Sequence, residues 1–337
     1  MSGSFIARKN LKTLAVRSRS LSDLDGKSKM NVEKLDDHVY LIDVETGGLE
    51  NFIASYVLKG PTAAIIETGP TSSIPNLLSG LRKINVKADD VAYVAVTHIH
   101  LDHGGGVGTL LKSLPNAKVI AHPTAVPHLT NPERLWQQSV AVQGKQITDM
   151  YQAPEPVLPE RILPVTDGMT LELGDDVNLK VVETLGHASH HQSYFETHHS
   201  GLFPGDAAGI YIRNLDVSVP TTPPPFRLDI ALASLEKLVK MNPTALYYSH
   251  FGKGDNAVQK LRAYEAQLKL WASIAEEGLR NQQDFDRIRT EIIEKDESVG
   301  KVLQFLKNHP VLSDTVLNNS VLGVVKFAER SMNSAQK

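Results

Sequence analysis

The chain of 337 residues contains no cysteine. That absence excludes disulfides, a thiol nucleophile and any thiolate-held metal, and it fits a reducing, cytoplasmic setting. No apolar run reaches the length needed to cross a bilayer, so no membrane partner is expected. A basic excess is missing as well. Net charge is −3, and residues 1–22, with Arg8, Lys9, Lys12, Arg17 and Arg19 and no acid, carry +5, which leaves −8 on the rest. A body of that sign is a poor binder of phosphate backbones, so nucleic acid is not an expected partner. Cysteine apart, the composition is ordinary: 41% hydrophobic and 22% charged residues describe a folded globular protein long enough for one large domain and a smaller one.

The densest chemistry lies in Thr97-His98-Ile99-His100-Leu101-Asp102-His103-Gly104-Gly105-Gly106, where three histidines and one aspartate fall within six residues. Val91 to Val96, just before it, is a continuous apolar run of the kind that forms a strand buried on both faces. The three glycines after it let the backbone turn tightly and approach a ligand. The cluster therefore belongs at the C-terminal end of a buried strand, where α/β folds place their chemistry. Neutral imidazole and carboxylate are ordinary ligands of zinc and related metals. His98 and His100 point the same way on an extended segment. Asp102 and His103 follow on a turn and can face a second position, so one loop can serve two neighbouring ions. The alternative, four polar residues sharing a solvated loop, does not account for the buried strand and the glycines.

This stretch matches the HxHxDH signature of the metallo-β-lactamase-fold hydrolases, and the order of motifs extends the resemblance over about residues 31–255. The resemblance implies an α/β fold, a four-layer αββα sandwich with a metal site at one edge, and within that group the chain looks most like lactonases and glyoxalase II-type thioesterases. By it, Thr184-Leu-Gly-His187-Ala-Ser-His-His191 aligns with the family's Thr-Pro-Gly-His-Thr-Pro-Gly-His. That match makes His187 the third ligand of the first ion and gives His191 a supporting place behind it. The departures at Leu185, Ala188, Ser189 and His190 alter the loop and leave the ligand position intact. Gly201-Leu-Phe-Pro-Gly-Asp206 matches the next family element, with Asp206 bridging both ions. A strand-end histidine, His250, completes the second ion. Glu67-Thr-Gly69 stands where the family has Asp-Thr-Gly, whose carboxylate orients a metal-bound histidine; here it is one methylene longer. Tyr211 is a candidate oxyanion donor by analogy with lactonases of the fold, against a packed strand residue as the plain alternative.

Along the chain, residues 1–30 read as a disordered extension, with a transit peptide, and so an organelle, as the alternative. Strands are expected at 39–43, 52–58, 63–66, 118–121, 179–183 and 245–249, and helices at 72–81, 107–114 and 226–241. Asn51 and Phe52, beside the first turn, are substrate-contact candidates or plain hairpin residues. His122 ends a strand on the same edge, either near the site or as a structural histidine. Residues 123–160, with Trp136, Val140, Ile147 and Tyr151, resemble an insertion forming a wall or lid. His198 and His199 fall on a hairpin tip, solvated and not ligating. From residue 256 the pattern is helical, with stripes Leu261–Tyr264–Leu268–Trp271–Ala275, Phe285–Ile288–Ile292 and Leu317–Val321–Val324–Ala328. Residues 31–255 are thus read as the catalytic domain and 256–337 as a helical appendage of three or four helices that shapes the pocket, caps the sandwich or forms a homodimer.

The assembled set is His98, His100 and His187 around one ion and Asp102, His103 and His250 around the other, with Asp206 between. Two divalent ions about 3.5–4 Å apart, zinc first with iron or manganese as alternatives, hold a bridging hydroxide that is nucleophilic at neutral pH. Asp102, besides ligating, passes a proton to the leaving group. The expected activity is hydrolysis of an ester-like acyl bond, a lactone or a thioester, in a small molecule. The alternatives are a phosphodiesterase or nuclease, a β-lactamase, and a non-catalytic metal-binding protein, which the intact ligand set disfavours.

Overall fold

The computed structural model describes residues 31–335 apart from Asn308 and Ser313. The expectation of a disordered or targeting segment at 1–30 lies outside the described residues. From Asn31 onward the chain forms one unit.

The first half of the chain builds one sheet. Its strands are β1 (Val32–Lys34), β2 (Val39–Asp43), β3 (Ala54–Lys59), β4 (Ala63–Ile66), β5 (Val91–Ala95), β6 (Lys118–Ala121) and β7 (Ile162–Pro164), in spatial order 1-2-3-4-5-6-7. β1 to β4 pair antiparallel, β1–β2 and β3–β4 through short turns and β2–β3 through the loop 44–53. β4, β5, β6 and β7 run parallel, because helices return the chain over the outer face. Those connections are α1 (Ile74–Lys83), α2 (Leu101–Gly104), α3 (Val107–Leu111), α4 (Val126–Thr130), α5 (Glu133–Gln143) and α6 (Lys145–Tyr151). The second half adds β8 (Thr170–Gly174), β9 (Val177–Glu183), β10 (Gln192–Glu196) and β11 (Gly201–Phe203), then a small ribbon of β12 (Ile210–Ile212) and β13 (Val217–Val219). After α7 (Leu228–Lys240) come β14 (Ala245–Tyr248) and β15 (Gly252–Asp255), closing a second sheet of order 15-14-11-10-9-8. Four helices follow: α8 (Ala257–Arg280), α9 (Phe285–Lys295), α10 (Glu297–Phe305) and α11 (Asp314–Ala335).

Strand alternation decides the layers. Val39 and Leu41 of β2, Tyr56 and Leu58 of β3, Leu179 and Val181 of β9 and Tyr194 of β10 meet in a core between the two sheets. The other faces of the same strands, with Ile42, Val57 and Val94, pack on Leu77, Leu81, Val107 and Leu110 from α1 and α3. Val182, Leu202 and Leu246 of the second sheet pack under Leu235 and Leu238 of α7 and Leu261, Leu268 and Trp271 of α8. The result is the expected αββα order of layers. The three helical stripes read in the sequence face inward: Leu261, Tyr264, Leu268, Trp271 and Ala275 are buried, as are Ile288, Ile292, Leu317, Val321, Val324 and Ala328, and Phe285 packs against them. The four C-terminal helices share this core with α7 and β14, so they close one face of the sandwich. Trp271 Nε1–H donates to Asp296 Oδ2 (2.8 Å), and the same carboxylate caps the start of α10 by accepting from the N–H of Ser298.

α11 also lies on the strap at residues 221–225. The Thr222 hydroxyl donates to the Ser320 carbonyl (2.7 Å), and a Cβ added to Gly323 would stand 1.7 Å from the Thr222 carbonyl oxygen. No side-chain rotation relieves a clash with backbone, so Gly323→Ala must push helix and strap apart. We expect a loss of about 3 kcal/mol in stability, measured as a lower denaturant midpoint. An unchanged midpoint would mean that α11 does not lie against this strap.

Candidate metal centre

β5 ends at Ala95 between β4 and β6, and the chain leaves it as Thr97 to His100 before turning into α2. This one exit places His98, His100, Asp102 and His103 at the C-terminal edge of the first sheet. The second sheet approaches the same edge: His187 and His191 lie in the β9–β10 loop, Asp206 follows β11 and His250 follows β14. The Gln192 N–H donates to the Thr97 carbonyl (2.8 Å), which joins the two sheets at the site.

The side chains converge in two groups. His98 Nε2 and His187 Nε2 stand 2.9 and 3.1 Å from His100 Nδ1. His103 Nε2 lies 3.2 Å from His250 Nε2, and Asp102 Oδ2 is 3.5 Å from the latter. Asp206 lies between the groups, with Oδ2 3.5 Å from His187 Nε2 and Oδ1 3.4 Å from His103 Nε2. In each of the sets His98–His100–His187, His98–His103–Asp206 and Asp102–His103–His250, the candidate ligand atoms lie within 4.8 Å of one another. The structure thus brings together all seven ligand candidates read from the sequence.

The outward nitrogens explain why the inward ones are free to ligate. His187 Nδ1–H donates to the Thr221 carbonyl (2.8 Å), and His250 Nδ1–H to the Phe52 carbonyl (3.3 Å). His103 Nδ1–H donates to Glu67 Oε1 (3.1 Å). The Thr97 hydroxyl donates to that same Glu67 oxygen (2.5 Å), so it accepts from His98 Nδ1–H (3.0 Å). Each acceptor fixes a tautomer whose lone pair points into the centre. His191 Nε2 accepts the Asp206 N–H (3.1 Å), which holds the bridging candidate from behind. Burial pushes His98 and His100 well below the usual imidazole range, and the neighbouring histidines push the same way. Burial also lowers His187, outweighing the pull of Asp206. His103 differs: burial lowers it, but the charges of Asp206, Glu67 and Asp102 prevail and bring it up to about 10. The fold therefore stabilises positive charge at this point. Asp206 Oδ1 is buried and accepts no hydrogen bond. Converging lone pairs, a carboxylate oxygen without a partner and a site that attracts a cation together fit a metal ion.

Beside the centre lies a cavity of about 490 Å³, with His100, Asp102, His187, Asp206 and His250 on its floor. Leu135, Val142 and Ile147 of α5 and α6, Phe52, the Pro223–Pro225 strap, and Val316 and Ser320 of α11 form its walls. The 123–160 insertion and the helical tail both shape the pocket, and Trp136 packs against the core. Asn51, by contrast, spends its N–H on Asp43 Oδ2 (2.8 Å). His122 pairs with Glu183 (3.1 Å) and Thr124 (2.8 Å).

Tyr211 does not reach the centre. Its ring stacks on Tyr248 (4.5 Å between centroids) and its hydroxyl is bonded to Asp216 (2.5 Å). The tyrosine brought to the cavity is Tyr151 at the end of α6, fully buried, with a hydroxyl that has no hydrogen-bond partner. Burial first, and then the charge of Asp102, raise this phenol well above its usual range, so it remains a donor. His190 also lines the cavity with an unpartnered Nδ1, and burial brings it down to about 4. Tyr151 falls in the insertion expected to form a wall or lid and His190 in the loop that carries His187, but no sequence pattern gives either of them, or the Thr221 carbonyl, a role in the site.

The family model of the metallo-beta-lactamase superfamily matches residues 49–250. The metallo-beta-lactamase fold-containing protein ST1585 of Sulfurisphaera tokodaii is 28% identical over 202 residues, covering 58% of this chain and 72% of that protein. The probable metallo-hydrolase YqjP of Bacillus subtilis is 24% identical over 247 residues, 67% of this chain and 75% of its own. Among solved structures, the metallo-beta-lactamase family protein TTHA1429 of Thermus thermophilus superposes with a TM-score of 0.64 at 20% identity, over 89% of this chain and 95% of that one. The match over residues 49–250 takes in every one of the seven converging side chains, and the chain belongs to the metallo-beta-lactamase superfamily of metal-dependent hydrolases.

Proposed function

We propose that the protein hydrolyses an ester-like acyl bond, a lactone or a thioester, in an uncharged and largely apolar small molecule, using two divalent ions held by the seven side chains above. The observation that carries this reading is the cavity. Its lining is more apolar than polar, the polar side chains outside the His/Asp cluster are hydroxyls, amides and imidazoles such as Ser139, Gln138 and His190, and no lysine or arginine lines it among the described residues. Phosphodiesters, nucleic acids, glutathione conjugates and β-lactam carboxylates are anions. The two ions would meet negative charge only at the reacting bond itself; the further phosphates or carboxylates that these molecules carry would fall against walls that supply no lysine or arginine. A neutral acyl group needs none. The imidazole and carboxylate donor set favours zinc.

Bound there, the ions would supply Lewis acidity toward a carbonyl oxygen and an acidified water. The chain supplies the rest. Asp102, on the cavity floor, would pass a proton to the leaving atom. Tyr151 donates its hydroxyl to the charge that develops on the acyl oxygen. α5 and α6 keep water from the reacting bond. Tyr151→Phe is expected to lower kcat by about 10²-fold with KM and the unfolding midpoint nearly unchanged; an unaltered kcat would reduce Tyr151 to a packing residue.

The deciding experiment is elemental analysis with hydrolysis assays on an acyl lactone, an N-acetylcysteamine thioester, a glutathione thioester, a chromogenic cephalosporin and bis-p-nitrophenyl phosphate. Two ions per chain and turnover of the lactone or the uncharged thioester, lost in His100→Ala, are expected. Preference for the phosphodiester, the cephalosporin or the glutathione conjugate would overturn the uncharged-acyl reading, and metal-independent turnover would overturn the dinuclear one.

A further inference from the structure

A second His/Asp cluster lies at the other end of the sandwich. The Lys59 N–H donates to the His38 carbonyl (2.8 Å), and the Lys59 end of β3 pairs with the start of β4, which runs parallel to β5. His38 is therefore at the end where β5 begins, whereas the metal centre is where β5 finishes. In the second sheet, Gln192 begins β10 beside Thr97 and Glu196 ends it, so the turn carrying His198 and His199 also lies at the far end.

Three imidazoles and three carboxylates meet there, from the β1–β2 turn of one sheet and the β10–β11 turn of the other. His199 Nε2 is 2.7 Å from Asp37 Oδ1 and 3.2 Å from Asp36 Oδ1. His198 lies edge-on to His199, with ring centroids 4.5 Å apart, and one ligand atom each from Asp37, His198 and His199 fall within 4.8 Å of one another. Behind them is a built support. Glu196 is fully buried, and its two oxygens accept the N–H groups of His198 and of His199 (3.0 Å), which sets the turn that presents both rings. His38 is 7% exposed, stacks on His199 at 5.0 Å, and places Nδ1 2.8 Å from Asp37 Oδ1. Its Nε2 is buried without a hydrogen bond, with Glu196 Oε1 3.5 Å away. A solvated hairpin tip, the reading the sequence invites, needs neither a buried carboxylate nor a buried imidazole behind it.

We propose that this notch is a separate, structural metal site for a divalent ion of the zinc class, with Asp37, His198 and His199 as ligands, Asp36 adjoining, and His38 and Glu196 positioning them. Two imidazoles and a carboxylate are the mixed donor set that such ions take. The ion would join a turn of the first sheet to a turn of the second and so clamp the sandwich at the end away from the catalytic centre. The proposal stands apart from the proposed reaction.

Tag-free holoenzyme, already carrying its active-site metal, is titrated with Zn²⁺ by calorimetry and its thermal midpoint followed. Wild type is expected to take up one more equivalent than the variants His198→Ala and Asp37→Asn, with a higher midpoint and unchanged hydrolysis. The readout is the difference between proteins, so it does not depend on how many ions the catalytic centre holds. Both variants change exposed side chains, so either alone can decide. Uptake in wild type no greater than in the variants would overturn the site.

Discussion

Asp206→Asn is expected to lower kcat/KM by about 10³-fold or more and to remove at least one bound ion. Asparagine keeps the volume and one oxygen but gives up the charge and turns an N–H donor toward one of the two imidazole groups. Asp206 presents one carboxylate oxygen to each group: Oδ2 faces His187 and Oδ1 faces His103. Burial would raise its pKa, but His103, His187 and His250 outweigh burial and hold its carboxyl well below the usual range, so it is a fixed negative charge at any working pH. If two divalent ions are held as proposed, an anion facing both would be worth several kcal/mol in the transition state, and about 4 kcal/mol corresponds to 10³ in rate. Elemental analysis and steady-state kinetics on the same sample check both halves. A variant that keeps two ions and loses less than tenfold in kcat/KM would remove Asp206 from the bridging position.

Part of this convergence is legible in the sequence, because four of the seven candidate ligands share one strand end. The spacing of His98, His100, Asp102 and His103 ties them to one strand end, whereas His187, Asp206 and His250 are legible only through the family resemblance, which places each after a strand. Spacing along a strand end predicts proximity when the neighbouring element is a sheet, since the pairing register is nearly fixed. Tyr211 shows where that logic stops. Its backbone is beside the site, accepting from the Phe251 N–H (3.1 Å) and donating to the His250 carbonyl (2.6 Å), yet its side chain turns away to Tyr248 and Asp216. Adjacency of backbone does not decide which face a side chain takes. Tyr151 is the converse case: α6 reaches the cavity only because the 123–160 insertion folds back over the sheet, and no short-range signal encodes that. The stripes of the helical tail are buried, but stripes say which face is buried and not what it is buried against. That α11 lines the cavity and holds the strap carrying the Thr221 carbonyl follows from packing alone.

Glu67 carries the largest expected effect outside the ligands. It sits just after β4 with φ of 64°, in the left-handed region that a long side chain seldom adopts, and it is 1% exposed. Four donors hold it: the Thr97 hydroxyl, His103 Nδ1–H and the Ser249 hydroxyl (3.0 Å) at Oε1, and the Thr97 N–H (3.3 Å) at Oε2. One carboxylate thus ties the metal loop to the end of β14, next to His250. Glu67→Ala leaves these donors buried without an acceptor and should cost roughly 3–5 kcal/mol of stability. Because such a variant could fail to fold, Glu67→Gln is the sharper probe: it preserves volume but lacks the charge that orients the His103 tautomer. Metal affinity should fall about 10–100-fold in Glu67→Gln, while kcat at saturating metal stays close to wild type, because Glu67 touches no substrate. A residue that only packs would change the unfolding midpoint without moving metal affinity, and that outcome would deny Glu67 its positioning role. The extra methylene relative to aspartate has a counterpart in the geometry: Glu67 reaches from its strained backbone across to Thr97, His103 and Ser249 together. Glu67→Asp should therefore relieve the backbone strain yet lose part of this contact set, giving a protein with metal affinity below wild type.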